Sequence, residues 1–255
     1  MRRFVHRQFV RTFRGMGRAP RAWRFAALMA MSTLAAGCDD LPGKPKYEDR
    51  PIPFEQVLDF DMLYARSCAG CHGVDGTLGP APPLNDPFFL ALVPDAVLLE
   101  TIQNGRAGTP MPAFLSDRGG TLSQAQIDVL AGGLKKKWGS ENIDTADVPP
   151  YLAAEAGVAA DATAGQAVFA RACAVCHGEQ GEGSGDEAMA GALRDAAFLR
   201  LASDQMLRRV AITGRPDLGM PNFREHTGRA AGFAPLTSQD ITNVVALLAS
   251  WREEP

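Results

Sequence analysis

The sequence predicts an all-α fold built from two tandem copies of one module of about 90 residues. Two observations predict this fold: a long-period internal repeat, and apolar residues at helical spacing without the strict alternation typical of strands. The composition agrees, because 46% apolar and 22% charged residues are typical of a globular chain. It excludes an intrinsically disordered chain and a bundle of membrane-spanning helices.

The repeat is carried by short motifs at offsets that grow along the chain. Cys68–Gly73 returns 105 residues later, and the Met-Pro pair beginning at Met111 returns 109 residues later. The Leu-Ser pair ending at Ser123 returns as Leu-Thr after 114 residues. These matches predict homologous domains at residues 54–138 and 162–255. Stretches rich in proline and acidic residues predict a tether over 38–53 and a linker over 139–161.

Each module is predicted to contain three helices in the same order. A helix leads into the cysteines, a second begins at an aspartate suited to N-capping, and a third follows a reciprocal N-cap pair. The segments are Val57–Ser67, Asp95–Asn104 and the helix behind Ser123 and Gln126 in the first module, and Gly165–Ala172, Asp204–Thr213 and the helix behind Thr237 and Asp240 in the second.

Residues 1–37 predict a lipoprotein signal peptide. This segment has eight arginines, no acidic residue and the short apolar run Phe25–Ala36. It ends in Leu-Ala-Ala-Gly before Cys38, which resembles the lipobox of bacterial lipoproteins, whose cysteine is lipidated. We therefore expect Cys38 to anchor the exported protein on the periplasmic side of a membrane, and Asp39 and Asp40 favour the inner membrane. The alternative is an ordinary signal peptide followed by an unpaired thiol.

The chain without residues 1–37 is strongly acidic. Losing eight arginines and no acidic residue changes the formal charge from −3 to −11. This charge argues against binding to nucleic acid and favours redox protein partners with basic surface patches.

The two Cys-x-x-Cys-His motifs, Cys68–His72 and Cys173–His177, carry the predicted chemistry. Two thiols at this spacing attach to the two vinyl groups of one haem, and the adjacent histidine is directed at the iron. A structural zinc site, a reactive dithiol and exported disulfides also use paired cysteines. None of these three alternatives requires the histidine that both motifs share.

With these motifs, each module resembles a class I cytochrome c domain, and the pair resembles the di-haem c-type cytochromes of bacterial respiratory chains. The resemblance implies two covalently bound haem c groups, attached at Cys68 and Cys71 and at Cys173 and Cys176. It also implies histidine and methionine as axial iron ligands. The four ligands by position are His72 with Met111, and His177 with Met220. Packing against the haem edge is the alternative role for each methionine.

Further residues near the methionines complete the predicted sites. Arg106 and Arg215 recur before the methionines and suit contacts with haem propionates, solvated surface positions being the alternative. In this family a proline carbonyl receives the ring N–H of the iron-binding histidine. The first module has Pro80, Pro82 and Pro83 there, whereas the second has no proline between Gly178 and Leu193. The sequence therefore leaves the partner of His177 undefined.

The predicted function is single-electron transfer between components of a respiratory chain, without substrate bonds being made or broken. A His/Met pair fills the iron coordination sphere and raises its potential, which favours electron transfer over oxygen or peroxide chemistry. Two alternatives remain: a cytochrome subunit of a larger oxidoreductase complex, and a di-haem cytochrome c peroxidase with one open iron.

Overall fold

The computed structural model describes residues 43, 45–46, 49–153, 157–183 and 190–252. The predicted signal peptide, Cys38 and half of the predicted tether lie outside the described residues. Residues 53–255 group into one compact unit, and its described residues form two hydrophobic cores, one for each module. The fold is all-α as predicted, because no strand occurs in the described ranges.

Domain 1 consists of five α-helices among its described residues, and domain 2 repeats them. Those of domain 1 are α1 (Phe60–Ser67), α2 (Ala69–His72), α3 (Pro87–Leu92), α4 (Asp95–Asn104) and α5 (Gln124–Trp138). Those of domain 2 are α6 (Ala162–Ala172), α7 (Ala174–His177), α8 (Ala196–Leu201), α9 (Asp204–Thr213) and α10 (Ser238–Arg252). Short 3-10 turns also occur, including Pro216–Leu218.

The helix starts follow local capping chemistry. The reciprocal caps predicted for the last helix of each domain are confirmed: Ser123 pairs with Gln126, and Thr237 pairs with Asp240. The prediction of aspartate caps for α4 and α9 is wrong by one residue. Asp204 is the first residue of α9, because the Ser203 side chain already accepts the backbone N–H of Met206 at 3.2 Å. An aspartate in the first turn still favours the helix through its dipole.

In each domain the first helix crosses the last helix at a glycine, but the last helix supplies this glycine in domain 1 and the first helix supplies it in domain 2. In domain 1 the Phe60 ring of α1 lies against Gly133 of α5, where an added Cβ would meet it at 2.1 Å. In domain 2 the glycine is Gly165 of α6, and it lies against the Asn243 carbonyl and Leu247 of α10. By the repeat offsets, Gly165 occupies the position of Phe60, and Leu247 occupies the position of Gly133. The large and small partners are exchanged between the domains.

The segment predicted as a linker packs on both domains. Tyr151 is buried in the core of domain 1, and Val148 packs against the core of domain 2. The Pro150 carbonyl accepts two hydrogen bonds from the Arg208 guanidinium of α9. The linker therefore helps to fix the two domains against each other.

Helix α3 of domain 1 also packs directly on domain 2. The ring of Phe88 stacks on that of Phe223, with 6.4 Å between centroids, and Phe88 and Leu92 reach the domain 2 core. The carboxylate of Asp217 accepts the backbone N–H of Leu78 across the boundary at 3.1 Å. The boundary between the domains is thus made of apolar packing and specific hydrogen bonds.

In the part of the chain that the structure describes, no helix has both the length and the apolar character needed to span a bilayer.

Candidate haem-binding sites

The two Cys-x-x-Cys-His motifs adopt the same backbone geometry. Cys68 ends α1 with φ −120° and ψ −36°, and Cys173 ends α6 with φ −122° and ψ −38°. One helical turn follows each of these cysteines. In both domains the cysteine carbonyl accepts the backbone N–H of the motif histidine at 3.0 Å. Because a single turn holds all three residues, both thiols and the imidazole are presented from one short segment.

Both motif histidines donate a ring N–H to a backbone carbonyl. His72 Nδ1 lies 2.8 Å from the Pro82 oxygen, and His177 Nδ1 lies 3.0 Å from the Gly191 oxygen. Gly191 stands 109 residues after Pro82, so the repeat keeps the acceptor although the proline is lost. The absence of proline therefore does not leave His177 without a partner, because any backbone carbonyl can accept this bond.

Burial lowers the pKa of both histidines, and the carbonyl hydrogen bonds only partly oppose this. Each imidazole is therefore neutral at physiological pH. Because the carbonyl can only accept, Nδ1 carries the proton and the lone pair is on Nε2. A neutral imidazole fixed in this tautomer is the form that binds iron.

A glycine with a left-handed backbone closes each methionine loop. Gly105 and Gly214 have φ of +67° and +72°, and a Cβ at either position would lie within about 2.5 Å of the methionine carbonyl. The backbone N–H of Arg106 donates to the Met111 carbonyl at 3.0 Å, and that of Arg215 donates to the Met220 carbonyl at the same distance. The two loops are therefore built alike, which explains why glycine recurs with the methionine.

In domain 2 the predicted residues surround one cavity of about 810 Å³, including its open mouth. Cys173, Cys176, His177 and Met220 all line it, and most other lining residues are apolar. Met206 also lines it and packs against the domain core. A mainly apolar lining with a few polar groups is typical of a cofactor site.

Arg229 is a lining residue that the sequence analysis missed. Its guanidinium donates to the carbonyl of Ala172 and to that of Asn222, and its Nε is buried without a partner among the described residues. It lies in the insertion that moves the repeat offset from 109 to 114, so the repeat gave no signal for it. A buried, unpaired donor at an apolar cavity fits a group that carries carboxylates.

The two predicted propionate contacts differ in their surroundings. Arg215 forms two 2.9 Å hydrogen bonds with Asp217, and this pairing lowers the pKa of that carboxyl. Arg106 is partly buried, and its charge, like that of Arg215, acts on the buried Arg209 at the domain boundary. Arg106 and Arg215 both carry donors suited to carboxylates, and their contacts with haem propionates stay predictions.

The surroundings of the cysteines disfavour the competing chemistries. Burial raises the pKa of Cys68 to about 12 and that of Cys173 to about 11, so neither is the ready thiolate of a reactive dithiol. Within the described ranges no three His, Cys, Asp or Glu side chains gather into a metal-binding group. The two cysteine pairs therefore do not combine into one zinc site. The apolar cavity, the neutral imidazole and the unpaired arginine donor all fit haem.

Fold and site together define a protein with two cytochrome c-type domains in tandem, each of which carries one covalently bound haem c. The cytochrome c family matches residues 162–251. The family described as cytochrome c oxidase, cbb3-type, subunit III matches residues 55–132.

Two curated bacterial proteins are similar to this chain. The cbb3-type cytochrome c oxidase subunit CcoP of Azospirillum sp. (strain B510) is 31% identical over 149 residues, which is 51% of this chain and 44% of that protein. The cbb3-type cytochrome c oxidase subunit FixP of Bradyrhizobium sp. (strain ORS 278) is 44% identical over 55 residues, covering 20% of this chain and 19% of that protein. The chain thus spans less than half the length of these relatives.

Proposed function

We propose that this chain is a di-haem electron-transfer subunit of a cbb3-type cytochrome c oxidase complex. The observation that carries the proposal is the similarity to an oxidase subunit over 149 residues, a length greater than either domain. The match of domain 1 to the cbb3-type family supports it. A free shuttle between respiratory components, which the sequence alone favours, is the competing function.

The site chemistry suits an electron carrier and not a catalyst. Bound haem iron supplies one-electron oxidation and reduction. We propose His72 with Met111, and His177 with Met220, as the axial pairs that leave no coordination position for a substrate. The buried imidazoles hold their tautomer through the carbonyls of Pro82 and Gly191. The apolar lining of the domain 2 cavity excludes water, so little reorganisation accompanies electron transfer.

We further propose that lipidation of Cys38 holds the protein on the periplasmic side of the inner membrane. The arginine-rich segment and the lipobox-like exit before Cys38 support this placement. The acidic charge that follows, −11 without residues 1–37, suits redox partners with basic patches. Anchoring would confine the encounter of these surfaces to the membrane plane.

Co-purification tests the complex. The full-length protein with a C-terminal affinity tag is extracted from native membranes in mild detergent, at low and at high salt. We expect a cbb3-type oxidase to elute with it in a fixed ratio, detected by mass spectrometry and by the oxidase's own haem spectrum. Recovery of the di-haem protein alone at low salt contradicts the subunit assignment and favours the free shuttle.

Replacing Cys38 with serine tests the anchor. Several acyl chains on one cysteine give stable membrane residence, so their loss should move the protein to the soluble periplasmic fraction. Fractionation followed by haem staining measures this. The Cys38→Ser variant should still carry two haems, because Cys38 belongs to neither attachment motif. A variant that stays with the membrane in high salt would show that the anchor is elsewhere.

A further inference from the structure

Arg209 reaches from α9 of domain 2 into domain 1. Its guanidinium lies over the ring of Phe89, 3.4 Å from the ring centroid, and donates to the backbone carbonyl of Pro83. The residue is only 8% exposed, and it forms no ion pair within 4.0 Å among the described residues. Burial lowers the pKa of Arg209 to about 10, so the side chain keeps its charge at neutral pH. The buried carboxyl of Asp86 acts on this charge electrostatically but makes no direct ion pair with it among the described residues. A buried cation without a carboxylate in contact is costly and calls for a function.

The carbonyl that Arg209 binds belongs to the residue next to the one that holds the histidine of domain 1. The neighbouring Pro82 carbonyl receives the ring N–H of His72 at 2.8 Å, so Arg209 holds the next peptide of the same backbone segment.

Arg209 is not part of the duplicated haem scaffold. The repeat offset of 109 places it at the position of Glu100, which is exposed in domain 1. Domain 2 has its own partly buried arginine, Arg229, at its haem cavity. Domain 1 thus obtains a buried cation from its neighbour, at the contact of α9 with α3.

We propose that Arg209 is a positioning residue for the haem site of domain 1, where it fixes the Pro82–Pro83 backbone that binds His72 and raises the reduction potential of that haem. Reduction removes one positive charge from the iron, so a fixed cation nearby disfavours the oxidised form. The effect persists because screening is weak in a buried, low-dielectric region. The proposal rests on the haem of domain 1 and not on the identity of the redox partners.

Potentiometric titration of the full-length two-haem protein tests this role. Cys68→Ala/Cys71→Ala protein identifies the domain 1 centre as the redox wave that disappears. In Arg209→Met and Arg209→Gln the domain 1 midpoint should fall more than that of domain 2, whereas Arg209→Lys should retain more of the original value. Unchanged midpoints in the two uncharged variants at full haem content would overturn the proposal, as would an equal fall in Arg209→Lys.

Arg208→Met is the matched control. Arg208 is the preceding residue on α9 and is also buried, but it binds the Pro150 carbonyl and the hydroxyls of Ser238 and Thr242. Its loss removes a buried cation from the same helix without removing a contact to the Pro82–Pro83 backbone. The domain 1 midpoint of this variant should stay close to that of the unchanged protein. A fall as large as that of Arg209→Met would mean that general loosening of α9 is the cause, and the proposal would fail.

Arg209→Lys alone decides the question if the uncharged variants do not accumulate. A buried ammonium loses its proton at lower pH than a guanidinium, so the domain 1 midpoint should fall more steeply from neutral to alkaline pH than in the unchanged protein. Parallel curves for the two proteins would overturn the proposal. Other charged and titratable groups also act on this region, namely His72, Asp86, Arg106, Tyr151 and Arg215. Because both proteins contain these groups, the pH curve of the unchanged protein accounts for their contribution.

Discussion

Replacing Met220 with alanine is expected to open one of the two haems to small ligands. The thioether is a soft ligand that favours ferrous iron, so its loss should lower the potential of the domain 2 centre. The fall should be a sizeable part of the ~0.8 V over which axial ligands set haem potentials. The reduced variant should bind carbon monoxide at one haem of two, and the near-infrared band of iron–thioether coordination should lose half its intensity.

Met206→Ala is the control for this experiment. Met206 lines the same cavity but packs against the core from α9 and does not lie in the glycine-closed loop that holds Met220. Its replacement should leave both haems closed to carbon monoxide. Met111→Ala should repeat the Met220 result in domain 1. If the unchanged protein already binds carbon monoxide or turns over peroxide, one axial assignment is wrong, and a peroxidase or gas sensor becomes the better interpretation.

Replacing both Cys173 and Cys176 with alanine is expected to halve the covalent haem content. Haem stoichiometry is measured after denaturation and acid-acetone extraction, which leave only thioether-bound haem on the chain. Domain 2 should also lose most of its cooperative thermal unfolding, because its apolar haem cavity would be left without its attached group.

The change should be confined to one domain and to these cysteines. Domain 1 has its own attachment cysteines and its own core, so its haem should remain covalently bound. Cys38→Ser protein, which lacks the fifth cysteine, should keep two haems. Retention of two acid-stable haems in the Cys173→Ala/Cys176→Ala variant would contradict the assignment of one haem to each motif.

Features set by local chemistry could be predicted from the sequence. The two attachment motifs, the glycine-arginine-methionine loops and the reciprocal caps at Ser123 and Thr237 each depend on residues only a few positions apart. The partner of His177 carries no side-chain signal, because the Gly191 contact uses a backbone carbonyl, and only the 109-residue offset from Pro82 leads to it.

The features that escaped prediction depend on contacts between distant parts of the chain. Arg209 lies 126 residues from the carbonyl that it binds, and Arg229 lies 57 residues from its Ala172 acceptor. A lone arginine in a helix or insertion looks like a solvated residue until tertiary contacts place it. Likewise, residues 139–161 have the composition of a linker, and only the tertiary structure shows that Tyr151 of this segment is buried in the core of domain 1.

The exchanged partners at the two helix crossings affect how a duplicated chain folds. If α1 paired with α10, Phe60 would press on Leu247, and such overpacking typically costs ~1–3 kcal/mol. If α6 paired with α5, Gly165 would face Gly133 and leave a void. Tandem domains of similar sequence are prone to misassembly in which one domain captures a segment of the other. Complementary shapes at this single crossing let each N-terminal helix discriminate between two otherwise similar C-terminal helices, so that each domain closes on its own chain.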